Sequence, residues 1–236
     1  MVILQNVTKR YKQTNAIDNL SLSIEPGRIY ALLGPNSSGK TTMMKLIAGL
    51  TKPNWGMITF NKADIGSYSK SQIAFMPTEN YFHSYMTCSD VGKYYSDFFT
   101  DFNIKKFEEL LDKFELNKKS KVGALSTGML AKLKLAANLS RDAKLVMLDE
   151  PLNGIDILSR ETVINTIIDS FTPEKAFIIS SHIVEELEQV VDSVIFLDKG
   201  QLKVTGLADE LRQSKNKSLV EIYKDIYGGG YDVKTN

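Results

Sequence analysis

The stretch Gly34-Pro35-Asn36-Ser37-Ser38-Gly39-Lys40-Thr41 constrains this chain more than any other part of it. It matches G-x-x-x-x-G-K-S/T, follows the apolar run Ile29–Leu33, and opens a segment of helical period near Lys40. A glycine-rich turn between a buried strand and a helix lets successive amide N–H groups curl around one concavity. The helix adds roughly half a positive charge at its amino end, where an anion can replace water on unpaired donors. The pattern predicts a phosphate cradle, with Lys40 reaching β- and γ-phosphates and the Thr41 hydroxyl on Mg²⁺. Its structural alternative is a plain glycine-rich connection. The cradle alone does not separate kinases, GTPases and motor ATPases.

Further short apolar runs, at Gln72–Met76, Leu145–Leu148, Ala176–Ser180 and Ser193–Leu197, read as buried strands, and helical patterns start near Asp156 and Ile183. That alternation predicts an α/β fold with a mostly parallel sheet, a P-loop NTPase core. Between Met86 and Leu139 the strand signal gives way to helical patterns at about 87–100, 104–115 and 126–139. An inserted helical subdomain over about 86–139 is expected, leaving a core of about 1–85 and 140–215 within one domain, 1–236. Val2–Thr8, Ser21–Ile24 and Met57–Phe60, with turns at Pro26-Gly27 and near Pro53-Asn54, predict an antiparallel side sheet. Ser218–Tyr227 reads as a short helix in the last stretch, about 216–236, which Gly228-Gly229-Gly230 is expected to loosen.

Charge excludes some roles. The 29 basic and 28 acidic side chains nearly cancel, so there is no chain-wide basic footprint and no nucleic-acid partner is expected. Cys88 is the one cysteine and cannot form an internal disulfide. Met1–Asn6 shows no basic leader followed by a long apolar run, and no stretch approaches the roughly 18 apolar residues that span a bilayer. A cytoplasmic chain is expected, and any membrane role falls to a partner chain.

A second constellation narrows the chemistry. Leu145-Val146-Met147-Leu148-Asp149-Glu150-Pro151 is an apolar strand ending in two carboxylates. That suits Asp149 as a holder of Mg²⁺ and Glu150 as the group that polarises an attacking water, although such a strand end can also simply meet solvent. Upstream, Leu125-Ser126-Thr127-Gly128 opens a helix, with Ser126 an N-cap candidate.

In this order the segments resemble the ATP-binding-cassette (ABC) family over nearly the whole chain, in particular the nucleotide-binding subunits of bacterial ABC transporters. Gly34–Thr41 resembles the Walker A loop, Leu125–Gly128 the signature motif, and Val146–Glu150 the Walker B strand. Asn153-Gly154-Ile155-Asp156 resembles the D-loop, and Ser180-Ser181-His182 the segment carrying the switch histidine. The resemblance implies ATP and Mg²⁺ as cofactors, and a head-to-tail dimer that holds ATP between one subunit's cradle and the other's signature helix. It implies nucleotide contacts by Gly34, Pro35, Asn36, Ser37, Ser38, Gly39, Lys40, Thr41 and Thr42, with Ser126 and Gly128 approaching from the partner. Tyr11 matches the position that stacks on adenine, an ordinary strand-end tyrosine being the alternative. His182 is implied as a γ-phosphate contact and a catalytic group beside Glu150; a helix cap or core histidine is its alternative. Asp156 is implied to act across the dimer interface or to cap its helix.

The chain departs from the family in several places. Thr78, followed by Glu79, stands where a metal- and water-contacting glutamine is usual, and its hydroxyl is a candidate metal contact. Thr127 and Met129 replace a common glycine and glutamine, and Ser37 and Ser38 a frequent glycine and alanine. The resemblance implies an ATPase subunit on the inner face of the cell membrane, driving a separate membrane-spanning subunit, an exporter, as a homodimer or heterodimer. The aromatics Tyr81, Phe82, Tyr85, Tyr94, Tyr95, Phe98 and Phe99 lie where the family docks its coupling helix, the last four also at core-helix spacing. The alternatives are a soluble cassette ATPase acting on nucleic acid or a ribosome, and a poorly hydrolysing ATP sensor.

Overall fold

The computed structural model describes residues 1–228. Gly229 and Gly230 of the glycine run lie outside them. From the amino end the chain runs β1 (Val2–Tyr11), β2 (Thr14–Ile24), β3 (Arg28–Leu33), α1 (Lys40–Ile47), β4 (Trp55–Phe60), β5 (Ala63–Asp64), α2 (Ser67–Gln72) and β6 (Ile73–Met76). It continues through α3 (Cys88–Phe98), α4 (Ile104–Lys113), α5 (Thr127–Leu139), β7 (Leu145–Asp149), α6 (Ile157–Asp169), β8 (Ala176–Ser181) and β9 (Ser193–Asp198). β10 (Gln201–Leu207), α7 (Ala208–Lys215) and α8 (Leu219–Tyr227) follow.

The strands form two sheets, ordered β10-β9-β3-β8-β7-β6 and β2-β1-β4-β5. Ladders from β9 through β6 are parallel, and β10 closes one edge antiparallel to β9. A parallel sheet is covered on both faces, which is why its strands read as unbroken apolar runs. Alternate residues of β3 show the two faces: Ile29, Ala31 and Leu33 enter one core with α3–α6 and α8, while Tyr30 and Leu32 enter another with α1 and the antiparallel sheet. The ends of β3, β7 and β8 therefore converge on one side, beside the amino end of α1.

Three expectations change at their edges. The helix expected near Ile183 is one 3₁₀ turn, Val184–Glu186. Val184, Leu187 and Val191 are buried at helical spacing, but neighbouring elements hold this segment. Ser181 Oγ accepts from Ile183 N–H, Arg160 on α6 pairs with Glu186, and Arg212 on α7 donates to the Glu188 carbonyl. Gln72 ends α2 instead of opening a strand: Ser69 Oγ accepts from the Gly66 N–H at 2.9 Å in the first turn of a helix that runs to Gln72. β2 begins at Thr14, seven residues before Ser21. Register shifts between Leu4 and Arg10, with Asn6 and Asn19 at left-handed φ of 51° and 49°, erase the alternation that would have revealed it.

Candidate functional site

The loop after β3 is shaped by close backbone approach. A Cβ on Gly34 would lie 2.3 Å from the Leu197 carbonyl oxygen, and one on Gly39 (φ 110°) would lie 2.5 Å from that of Ala16. Only glycine fits at either point. Ser37 takes φ 65°, the left-handed region, where a Cβ is tolerated at a cost. Among the described residues Ser38 Oγ finds no hydrogen-bond partner, though it is buried.

Lys40 opens α1 and is 7% exposed. Its ammonium donates to the carbonyls of Gly34 (2.7 Å) and Pro35 (3.2 Å) and stands 3.9 Å from Glu150 Oε1. Burial pushes its pKa down, against the pull of Glu150 and then Asp149. Thr41 Oγ1 donates to Asp149 Oδ2 at 2.7 Å, and Ser180 Oγ donates to Asp149 Oδ1 at 2.6 Å. Glu150, at φ 51°, turns off the end of β7; its N–H donates to Ser180 Oγ (2.9 Å), and its Oε2 lies 2.8 Å from His182 Nδ1. Asp149 and Glu150 thus leave one strand end for different partners, one toward the Thr41 hydroxyl and one toward two cationic or titratable side chains.

These groups line a cavity of about 800 Å³. It brings together Asn36 through Thr42, Thr78, Asp149, Glu150 and His182. Asn153, the first residue of the segment that resembles the D-loop, also lines it, as do Thr14, Asn15, Ala16 and Lys199, which were not singled out from sequence. For Lys199 a signal existed: Lys199-Gly200 follows an apolar run, and the Gly200 N–H donates to the Ser38 carbonyl at 2.8 Å, tying this turn to the loop. Thr78 reaches the cavity, but its Oγ1 faces the Asp149 main-chain carbonyl at 3.4 Å. Lys134 on α5, whose pKa burial lowers, donates to the carbonyls of Pro77 (2.8 Å) and Thr78 (2.7 Å).

Gly34 and Pro35 sit beneath Lys40 as carbonyl acceptors and are not among the residues lining the cavity. Tyr11 is likewise not among them; it is half exposed, with the Lys9 ammonium 5.0 Å above its ring. Ser126 caps α5, accepting from Met129 N–H at 3.2 Å, and Asp156 caps α6, accepting from Ser159 N–H at 3.0 Å. They share a second patch, where a Cβ on Gly128 would meet the Gly154 carbonyl at 2.5 Å. Exposed Ile157 and Leu158, 80% and 90%, flank it. On another face, Phe75, Tyr81, Tyr95, Phe99 and Arg141 line an apolar cavity of about 430 Å³. Tyr94 and Phe98 are exposed, whereas Tyr95 is buried, so the aromatic run divides between core and surface.

The first cavity fits a nucleotide with a hard metal ion. A loop that excludes side chains at Gly34 and Gly39, the α1 amino end, and a buried lysine together suit phosphate. The Thr41 hydroxyl and Asp149 carboxylate are hard oxygen donors of the kind Mg²⁺ takes when substrate phosphates complete its shell. Among the described residues no cluster of three or more His, Cys, Asp or Glu could hold a metal unaided.

Comparison with known proteins supplies the family. The ABC transporter family model matches residues 17–153. The ABC transporter ATP-binding protein YtrB of Bacillus subtilis is 29% identical over 96% of this chain and 78% of its own length. The lantibiotic transport ATP-binding protein SrtF of Streptococcus pyogenes is 31% identical over 86% of this chain and 89% of its own length. A dimeric ATP-binding cassette in a post-hydrolysis state with ADP and Pi superposes with TM-score 0.79 at 22% identity, covering 88% of this chain and 98% of that one. This chain belongs to the ABC transporter family, as one of its ATP-binding cassettes.

Proposed function

We propose that the chain binds ATP in the cavity above Gly34–Thr42 and hydrolyses it with Glu150, driving a separate membrane-spanning partner. The observation that carries this is the convergence of Lys40, Asp149, Glu150 and His182 on one cavity. Loop amides and Lys40 orient the phosphates, with Lys40 exchanging its carbonyl partners for phosphate oxygens. Thr41 and Asp149 would hold Mg²⁺, which would supply charge neutralisation at the phosphates. Glu150 is held by His182 and Lys40. A γ-phosphate drawing Lys40 and His182 leaves the Glu150 carboxylate to orient water and take its proton as the water oxygen attacks phosphorus. The bond to the bridging oxygen then breaks, giving ADP and phosphate. His182 steadies the Glu150 carboxylate and the γ-phosphate.

The second patch, with Ser126, Gly128 and Asp156, is not on this cavity and is positioned to complete that of a second cassette, as a homodimer or heterodimer. Ser126 and Gly128 present the amino end of α5 to the γ-phosphate across the interface. Tyr11 supplies a flat surface to adenine. The apolar cavity with exposed Tyr94 and Phe98 receives a cytosolic segment of the membrane partner, which places the chain on the inner face of the membrane. Among the described residues no helix is long and apolar enough to cross one. The lantibiotic relative favours export. Glu150→Gln tests the assignment: it should retain MgATP and lower turnover by about 10²–10⁴-fold, the usual contribution of a general base. A parent-like rate of phosphate release would remove Glu150 from that role.

A further inference from the structure

α8 reaches the strand ends beside the loop that follows β3. The Tyr227 hydroxyl donates to the Leu197 carbonyl at 2.8 Å and lies 3.5 Å from that of Leu33. Leu33 is the residue before the loop, and Leu197 lies one residue past the last β3–β9 pair, Leu33 with Phe196. The Leu197 carbonyl oxygen is also the atom against which Gly34 is fitted, 2.3 Å from where a Cβ would stand. Gly34 in turn offers its own carbonyl to Lys40 at 2.7 Å. One short path therefore runs from Tyr227 through Leu197 and Gly34 to the lysine of the cradle.

The tyrosine is held to this task. Its ring packs on Tyr223 and Phe196, with centroids 4.5 Å and 6.3 Å away. Leu219 and Ile222 anchor α8 in the core, and Leu219 N–H donates to Glu188 Oε1 at 2.6 Å. Burial pushes the phenol pKa upward, so the hydroxyl stays a donor at neutral pH.

We propose that Tyr227 is a positioning residue for nucleotide binding: its hydroxyl fixes the strand-end carbonyls on which the root of the phosphate loop rests. A loop whose amides are aimed in advance binds phosphate without an ordering cost, and removing the brace restores that cost. The proposal rests on Gly34–Thr41 being the phosphate loop. Tyr227→Phe deletes only the hydroxyl, and Tyr227→Leu deletes the ring contacts as well. With MgADP titrated calorimetrically, Tyr227→Phe should raise Kd by about 3- to 10-fold and raise KM for ATP in parallel, with kcat at saturating ATP within about twofold of the parent. Tyr227→Leu should weaken binding at least as much. A parent-like Kd for Tyr227→Phe overturns the proposal, whether or not Tyr227→Leu binds less well, because ring packing then accounts for the residue. A fall in kcat with unchanged KM overturns it too. Failure of the parent itself to bind MgADP refutes the phosphate-loop reading instead.

Discussion

Lys40→Met separates what the lysine does for the folded chain from what it does for the nucleotide. The ammonium is buried, donates to two carbonyls and faces Glu150 at 3.9 Å. Methionine removes a charge that burial disfavours but leaves the Gly34 and Pro35 carbonyls without their donor. These effects oppose each other, so the melting temperature of the free protein is a poor readout. The nucleotide-induced shift is a clean one. At MgADP about 100-fold above the parent's Kd, binding stabilises by about 2.7 kcal/mol. For a domain of this size that raises Tm by about 5–11 °C, at roughly 2–4 °C per kcal/mol. A charged hydrogen bond contributes about 1.5–3 kcal/mol, so its loss raises Kd by about 10- to 160-fold. At the same ligand concentration the variant should then retain about half the parent's shift or less. Thermal melts followed by dye fluorescence, with and without MgADP, measure both values. An equal shift in variant and parent would refute the role of Lys40 in the cradle. The lowered pKa gives a second signature. Between the folded pKa and 10.5 the folded chain holds fewer protons than the unfolded chain, so parent stability rises with pH across that window, and Lys40→Met should lack this contribution.

Ser37→Gly should stabilise the free protein by up to about 1 kcal/mol, since glycine relieves a left-handed backbone at φ 65° while adding unfolded-state entropy. A loss of stability in urea melts would show that the Ser37 side chain outweighs that strain. Arg141 is buried, bonded to both Asp101 oxygens at 3.1 Å, bonded to the Ile73 and Ser71 carbonyls, and stacked 3.8 Å from the Phe99 ring centroid. Arg141→Met strands all of these acceptors and should cost about 3–5 kcal/mol in urea melts; a loss below about 1 kcal/mol contradicts that reading.

The parallel sheet was legible because strands buried on both faces write themselves as apolar runs, as Leu145–Leu148 does. The loop was legible because its glycines are forced by contacts under 3 Å. The pairing of Asp149 with Thr41 could be inferred from motif order; the Ser180 hydroxyl that holds both Asp149 and the Glu150 N–H could not, since it enters from β8. Thr14–Ala16 were hidden for the same reason, reaching the cavity through β2, while Lys199 reaches it through the β9–β10 turn. β10 reads as polar and partly exposed because it is an edge strand, and the Ile183 segment mimics a helix because its buried residues fall at helical spacing. Spacing reports which side is buried, and neighbouring segments of the chain decide the backbone.

The departure at Thr78 acquires a physical meaning from its surroundings. Its Oγ1 touches the carbonyl of Asp149 at 3.4 Å, while its own carbonyl accepts from Lys134 on α5 at 2.7 Å. Three residues on, the Tyr81 hydroxyl accepts from Asn138 on the same helix at 2.9 Å and pairs with Tyr95 on α3 at 3.0 Å. Residues 77–81 thus join the carboxylate end of β7 to two helices of the segment that carries Ser126. A glutamine at 78 would add reach toward the cavity; threonine keeps the main-chain tether and gives up the reach. The Lys134 bonds tie α5 to residues 77 and 78, and their donor is a lysine whose charge burial already disfavours. The cavity beside Asp149 is therefore tied to α5 through the Pro77 and Thr78 main-chain carbonyls held by the Lys134 ammonium, with the Asn138–Tyr81 bond beside them.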